Sequence, residues 1–313
     1  MEASGFRKRC AAAVRKVLPS TLKTALWMIK VTVGVSFAIM LLGYFGFIDW
    51  LSAVLSPLFV HFGLPGEAAL AYVSGYFVNM YSAVTAAVAL DLDARAVTVL
   101  GVMVLCSHNM IVETAVQKKT GSPALLMVLV RTLSGIILAY VLNLLLPGTV
   151  TAAVGVGETV RPELKDAVLE WIADVCVLVP KMLVIIFSLN ILQALLAEFG
   201  IIRQISRMLR PVMRVFGLSA RCSVLWIIAN TLGLAYGAAA MIEEAGNDKL
   251  RKEDINGLNL HIGISHSNLE DLFLLASIGA VWWVLLLARW AMAAILVWGY
   301  RLEAYIKNKY VSL

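Results

Sequence analysis

The sequence predicts an all-α polytopic membrane protein of two inverted-topology repeats, with about six transmembrane helices, two re-entrant hairpins and amphipathic interfacial helices. Three observations predict it. Of 313 residues, 61% are hydrophobic and only 15% charged, with a mean hydropathy of +0.86, whereas soluble domains carry about 25% charged residues. A polar motif recurs at a fixed offset of 158 positions: Ser107, His108 and Glu113 are matched by Ser265, His266 and Asp271, then Gly121 by Gly279 and Arg131 by Arg289. Equivalent segments of the two halves also differ sharply in basic charge, as inverted repeats require.

Several apolar runs reach the ~20 residues that span a bilayer as helix and lack the alternation of barrel strands. The net charge of +6 is therefore read through the positive-inside rule, and no nucleic-acid partner is expected. Cys10, Cys106, Cys176 and Cys222 form no CxxC pair, which excludes a disulfide framework and zinc-finger spacing.

Along the chain, residues 1–23 form a basic amphipathic segment carrying Arg7, Lys8, Arg9, Arg15, Lys16 and Lys23, suited to the cytoplasmic membrane surface. The first repeat covers residues 24–148. It holds a span at 25–47, an interfacial segment at 48–62, a turn with Pro65 and Glu67, a second span to about residue 90, an apolar stretch at 96–116 broken by Ser107-His108-Asn109, and a span at 123–146. A linker at 149–166, with Gly155, Gly157 and Pro162, separates the halves. The second repeat covers residues 167–301 and restarts the plan: Pro211 matches Pro57 and Phe216-Gly217-Leu218 matches Phe62-Gly63-Leu64, each 154 positions on. A basic tail, residues 302–313, closes the chain.

Charge fixes the orientation. Residues 48–62 contain no Lys or Arg, but their counterpart from Gly200 carries Arg203, Arg207, Arg210 and Arg214, with Arg221 beyond. Four apolar segments per half give an even number of crossings, so one segment in each half must double back. The His-bearing segment is expected to be that hairpin, because re-entrant backbone is tolerated where it lines a watery cavity. Both termini are then cytoplasmic, Lys118 and Lys119 are inside, the linker is outside, and His108 faces His266 across a pseudo-two-fold axis.

Ionisable groups inside spans mark pathways or relays. The substrate-binding candidates are Asn79, Ser82, His108, Asn109, Glu113, Asn230, Tyr236, His266, Asn268, Glu270 and Asp271. Glu113 follows Asn109 by four residues and Glu270 follows His266 by four, so each pair shares a helix face. His108, His266, Glu113 and Glu270 are the candidate metal ligands. The bland reading of each histidine is one that only secures a helix break. Arg131 and Arg289 are expected either to pair with Glu113 and Asp271 or to recognise an anion. Trp27, Trp50, Trp282, Trp283 and Trp298 are expected at the membrane interface.

The stretch from Gly75 to Ala83, with Ser107-His108-Asn109 and Glu113 after it, and the stretch from Asn230 to Ala238, with His266 and Glu270 after it, resemble the nucleoside-recognition, or Gate-domain, membrane protein family. Concentrative nucleoside transporters, the membrane part of the bacterial ferrous iron uptake protein and spore maturation membrane proteins share that motif. The resemblance runs from about residue 25 to residue 300. No G-x-x-x-x-G-K-[ST] is present, so similarity to the iron protein is confined to its membrane part.

The function expected is secondary transport across a bacterial inner membrane of a small polar solute, nucleoside-like or anionic, through a midplane site between the repeats. The alternatives are a divalent metal cation permease using the duplicated motif, and a non-transporting scaffold or lipid-handling protein. The expected partners are the lipid bilayer and a small-molecule or ion substrate, with a homo-oligomer left open. No resident cofactor is expected beyond a coupling proton, sodium or divalent cation. No nucleophile-base-acid set stands out, so no enzymatic activity is expected.

Overall fold

The computed structural model describes residues 2–77, 79–148, 163–233 and 251–311, and the regular structure among them is helical. In chain order the helices are α1 (Glu2–Tyr44), α2 (Phe47–Val60), α3 (Ala68–Phe77), α4 (Met80–Ala89), α5 (Ala94–Ser107), α6 (Met110–Lys119) and α7 (Ala124–Leu145). They continue with α8 (Leu164–Glu198), α9 (Ile201–Met208), α10 (Arg210–Val215), α11 (Ser223–Leu232), α12 (Lys252–Ser265), α13 (Glu270–Ser277) and α14 (Trp282–Val311).

The helices Ala124–Leu145 and Trp282–Lys307 are long and apolar enough to cross a membrane. α7 shows what solvent it is made for. Its inner face buries Arg131, Ser134 and Gly135 with Met127 and Leu138, while Leu125, Leu129, Leu133, Ile137 and Leu144 stand exposed. A polar inner face under an apolar outer one inverts the rule for water-soluble helices and fits hydrocarbon outside.

α1 and α8 pack antiparallel. Arg9 pairs with Glu198 at 3.0 Å and Phe6 stacks on Phe199 at one end, and Phe37 meets Trp171 further along. α1 runs unbroken through Pro19, so the basic residues from Arg7 to Lys23 stand on the same helix as the apolar stretch that follows them.

The segment that doubles back is not the His-bearing one. α3 and α4 pack on each other as a helical hairpin, each about 15 Å long or half a bilayer core. A Cβ on Gly75 would lie 2.8 Å from the Cβ of Ala83 and 2.8 Å from a γ-methyl of Val104, so only glycine lets the hairpin close and seat on α5. Asn79 starts the return leg as the N-cap of α4, its Oδ1 accepting from the Ser82 backbone N–H at 3.0 Å.

α5 and α6, in contrast, run on as one interrupted helix against α7. Arg95 near the start of α5 donates to Asn143 O at the end of α7 at 3.0 Å, and Arg131 in the first third of α7 reaches the α5–α6 break. The expected re-entrant hairpin at Ser107-His108-Asn109 is thus corrected to a straight-through break, because α7 could not lie antiparallel to the whole segment if α6 returned to the start of α5. α12 and α13 repeat the arrangement: Asn256 donates to Tyr300 in the far part of α14, and Arg289 near its start reaches the α12–α13 break. The counterpart of α3 is α11; residues 234–250, where its return leg would fall, lie outside the described residues.

Local geometry recurs at the offsets read from the sequence. The left-handed glycines Gly46 and Gly200 (φ 74° and 66°) and Gly63 and Gly217 (65° and 70°) are 154 apart, and Gly121 and Gly279 (101° and 104°) are 158 apart. Asn109 and Ser267, also 158 apart, are both left-handed at 48° and 53°. Asn109 N–H donates to Gly75 O at 3.0 Å, and Ser267 N–H to Ala229 O at 3.1 Å, so the first break is held by the end of α3 and the second by the end of α11.

Candidate functional site

Interrupting a helix leaves its last carbonyls without N–H partners, and in a membrane no water replaces them. Both breaks solve this in the same way. Arg131 donates from Nε to Cys106 O (3.0 Å) and from Nη2 to His108 O (2.7 Å). Arg289 donates from Nε to Ile264 O (2.5 Å) and from Nη2 to His266 O (2.6 Å). These two arginines are 1% and 0% exposed, and the planar fork of a guanidinium suits two carbonyls side by side. Arg131 also pairs with Glu113 Oε2 at 2.6 Å, as one sequence expectation had it. Arg289 contacts Asn268 Oδ1 at 3.1 Å and no ion pair with Asp271 is found among the described residues, because Asp271 is turned to the other half. Nε and Nη2 of both guanidinium groups are thus engaged on backbone carbonyls.

The histidines meet at the centre. His108 and His266 are the C-caps of α5 and α12. His108 Nδ1 lies 3.1 Å from Val104 O and His266 Nδ1 2.7 Å from Ile262 O. A carbonyl oxygen only accepts, so the ring hydrogen of each neutral imidazole sits on Nδ1 and each Nε2 presents a lone pair. The two Nε2 atoms are 3.3 Å apart. Glu113 Oε1 is 3.0 Å from His266 Nε2 and 3.4 Å from His108 Nε2, and Asp271 Oδ2 is 3.2 Å from His108 Nε2. All four residues are buried. Three lone-pair atoms, His108 Nε2, His266 Nε2 and Glu113 Oε1, therefore converge with Asp271 Oδ2 beside His108, an arrangement that repels itself until a cation or protons enter.

The exchange is crossed: Glu113 of the first half serves His266 of the second, and Asp271 of the second serves His108 of the first. Glu270, expected as a metal ligand, instead accepts from Tyr81 Oη at 2.6 Å, and it is Asp271 that lies beside a histidine. The reason lies in the break. The i, i+4 spacing presumes continuous helix, but Ser267 is left-handed and α13 starts only at Glu270.

The remaining candidates hold the frame. Asn230 donates to Trp226 O at 2.8 Å and accepts from Asn268 Nδ2 at 2.6 Å, while its carbonyl takes the Asn268 N–H at 2.9 Å. Asn109 supplies the left-handed turn. Asn79 and Ser82 cap α4, and the Asn79 Nδ2 group is buried without a hydrogen-bond partner. Tyr236 lies outside the described residues. Sequence reading missed Tyr81, which carries no signal at the duplicated offset, and Gln117, which follows Glu113 by one helical turn.

Fold and centre together define an all-helical membrane protein with a buried cluster of two imidazoles and two carboxylates. The chain is 30% identical over 271 residues to "Uncharacterized membrane protein YvoD" of Bacillus subtilis (strain 168), an alignment covering 85% of this chain and 87% of the relative. The chain belongs to the family of that membrane protein. No family model and no solved structure matches it, so the motif resemblance to nucleoside-recognition proteins gains no support there.

Proposed function

We propose that the protein transports a divalent transition-metal cation across the membrane, through a site formed by His108, His266, Glu113 and Asp271 between two inverted repeats. The buried convergence of His108 Nε2, His266 Nε2 and Glu113 Oε1 carries this reading. Around a tetrahedral zinc ion with bonds of about 2.0–2.1 Å, neighbouring ligand atoms lie about 3.3–3.4 Å apart; these three are 3.0 to 3.4 Å apart, and Asp271 Oδ2 lies 3.2 Å from His108 Nε2. The supporting shell fits as well, since metal-bound histidines donate their second ring N–H to a carbonyl and ligating carboxylates are themselves held, as Arg131 holds Glu113. Two nitrogens and two oxygens suit zinc, iron(II) or manganese(II) better than a hard, oxygen-seeking ion.

Inverted topology is the reading that the antiparallel α1 and α8 and the crossed pairing support, with a broken helix in each half and the α3–α4 hairpin in the first, elements that alternating-access transporters use. The N-terminus, Lys118, Lys119 and the C-terminus then share the cytoplasmic side.

Purified wild-type protein is expected to bind close to one zinc per chain and to carry zinc into proteoliposomes. His108→Ala and His266→Ala each lower affinity by at least about 100-fold, while Arg131 and Arg289 keep the fold. Binding below one-tenth equivalent, or uptake unchanged in both variants, overturns the reading. The polar-solute reading of the same centre rests on the unpartnered Asn79 amide; thermal stabilisation by nucleosides without zinc binding would favour it.

A further inference from the structure

The duplication supplies an internal control for how the centre is reached, because each side of the cluster has a counterpart on the other. On the side of Lys118 and Lys119, the space between α6 and α12 is filled by amides and hydroxyls. Gln117 donates to Asn259 O at 3.0 Å, Asn259 Nδ2 donates to Thr120 Oγ1 at 2.7 Å and Ser122 Oγ at 2.8 Å, Ser122 donates to Asn256 Oδ1 at 2.7 Å, and Asn256 donates to Tyr300 Oη at 3.2 Å. Tyr300 in turn lines a cavity of about 230 Å³ with Arg251, Asp254, Gly257 and Arg301. Gln117 and Asn259 are each 0% exposed, yet Gln117 Oε1 and Asn259 Oδ1 have no hydrogen-bond partner. A buried amide oxygen left unpaired is costly, and two of them in a hydrogen-bonded run from Tyr300 to Gln117, one helical turn after Glu113, invite a cation or its water.

Four of the five counterparts 158 positions away carry no polar side-chain atom. Gln117 corresponds to Leu275, Asn259 to Gly101, Thr120 to Ile278, Ser122 to Ala280 and Asn256 to Thr98. A Cβ on Gly101 would lie 3.1 Å from a Leu275 methyl, and the Thr98 hydroxyl is occupied by the Val281 N–H at 2.9 Å. Inherited from one ancestral half, the two sides have diverged into a polar lane and an apolar plug.

We propose that Gln117, Asn259, Ser122 and Asn256 form the access lane by which the cation passes between the Lys118–Lys119 face and the central site, with the two amide oxygens as its stepping stone, and that Leu275 and Gly101 seal the opposite side in this state. The lane rests on the cation reading for its cargo, but its accessibility is measurable without any metal.

Asn256→Cys, Ser122→Cys, Thr98→Cys and Ala280→Cys would be made in a chain freed of Cys10, Cys106, Cys176 and Cys222, and exposed in oriented vesicles to a membrane-impermeant thiol reagent. Asn256→Cys and Ser122→Cys are expected to react from the Lys118–Lys119 side at least about tenfold faster than Thr98→Cys and Ala280→Cys from the other, a buried polar group being the place where water enters. Equal rates, or no reaction at Asn256→Cys and Ser122→Cys in protein that still melts cooperatively, overturn the lane. Gln117→Leu, which installs the side chain of its counterpart, is expected to keep zinc stoichiometry at the centre while slowing zinc uptake about tenfold, the loss of one buried acceptor. Unchanged uptake in Gln117→Leu also overturns the lane, whereas absence of zinc in the wild type with the thiol pattern intact overturns only the cargo.

Discussion

Glu270 and Asp271 are adjacent carboxylates at the start of α13, yet only Asp271 reaches a histidine: its Oδ2 is 3.2 Å from His108 Nε2, while Glu270 accepts from Tyr81 Oη at 2.6 Å. The division gives a sharp mutational contrast. Asp271→Asn is expected to weaken zinc binding about 10–100-fold and Glu270→Gln to change it less than about threefold, read by calorimetric titration; the reverse order would remove Asp271 from the ligand set. The sequence announced both histidines, Glu113, Asp271 and the two arginines through their shared offset. It misassigned Glu270 because helical spacing was carried across a break where the chain turns left-handed. It could not reveal that Arg131 and Arg289 clamp carbonyls, since that use of a guanidinium depends on backbone oxygens that no residue type announces.

At the scale of helices, a polar interruption in an apolar stretch has two geometric outcomes, and composition does not separate them. The stretch holding Gly75 and Asn79 and the stretch holding His108 and Asn109 are both apolar, interrupted midway and long enough to cross or to double back. What separates them is the neighbour each must accommodate. α3 and α4 fold together because Gly75 offers no Cβ where Ala83 and Val104 approach to 2.8 Å, whereas α6 continues past His108 because α7 lines the whole length of α5 and α6. Gly75→Val should therefore wedge the hairpin open and cost about 1–3 kcal/mol, seen as a lowered Tm in detergent, with zinc affinity falling as the Gly75 carbonyl loses its hold on Asn109. A Gly75→Val protein as stable as wild type would mean that α3 and α4 are not tightly apposed. In the first half the segment that returns is thus α3–α4 and not the His-bearing stretch.

For the whole molecule, the apolar outer surface, the polar inner faces and the family relation make the membrane its solvent. The clamps and the pairings divide differently between the halves, and this has a consequence for how the molecule is assembled. Each arginine closes on the broken helix of its own half, but His266 meets Glu113 of the first half, and Asp271 of the second half reaches across to His108. A half made alone would keep its backbone satisfied; the second would strand His266 and Asp271 in hydrocarbon, whereas the first would keep Glu113 on Arg131 and beside His108. Cleaving the chain between residues 148 and 163 and co-expressing the pieces is expected to return a complex that co-purifies and binds zinc, while neither fragment alone does.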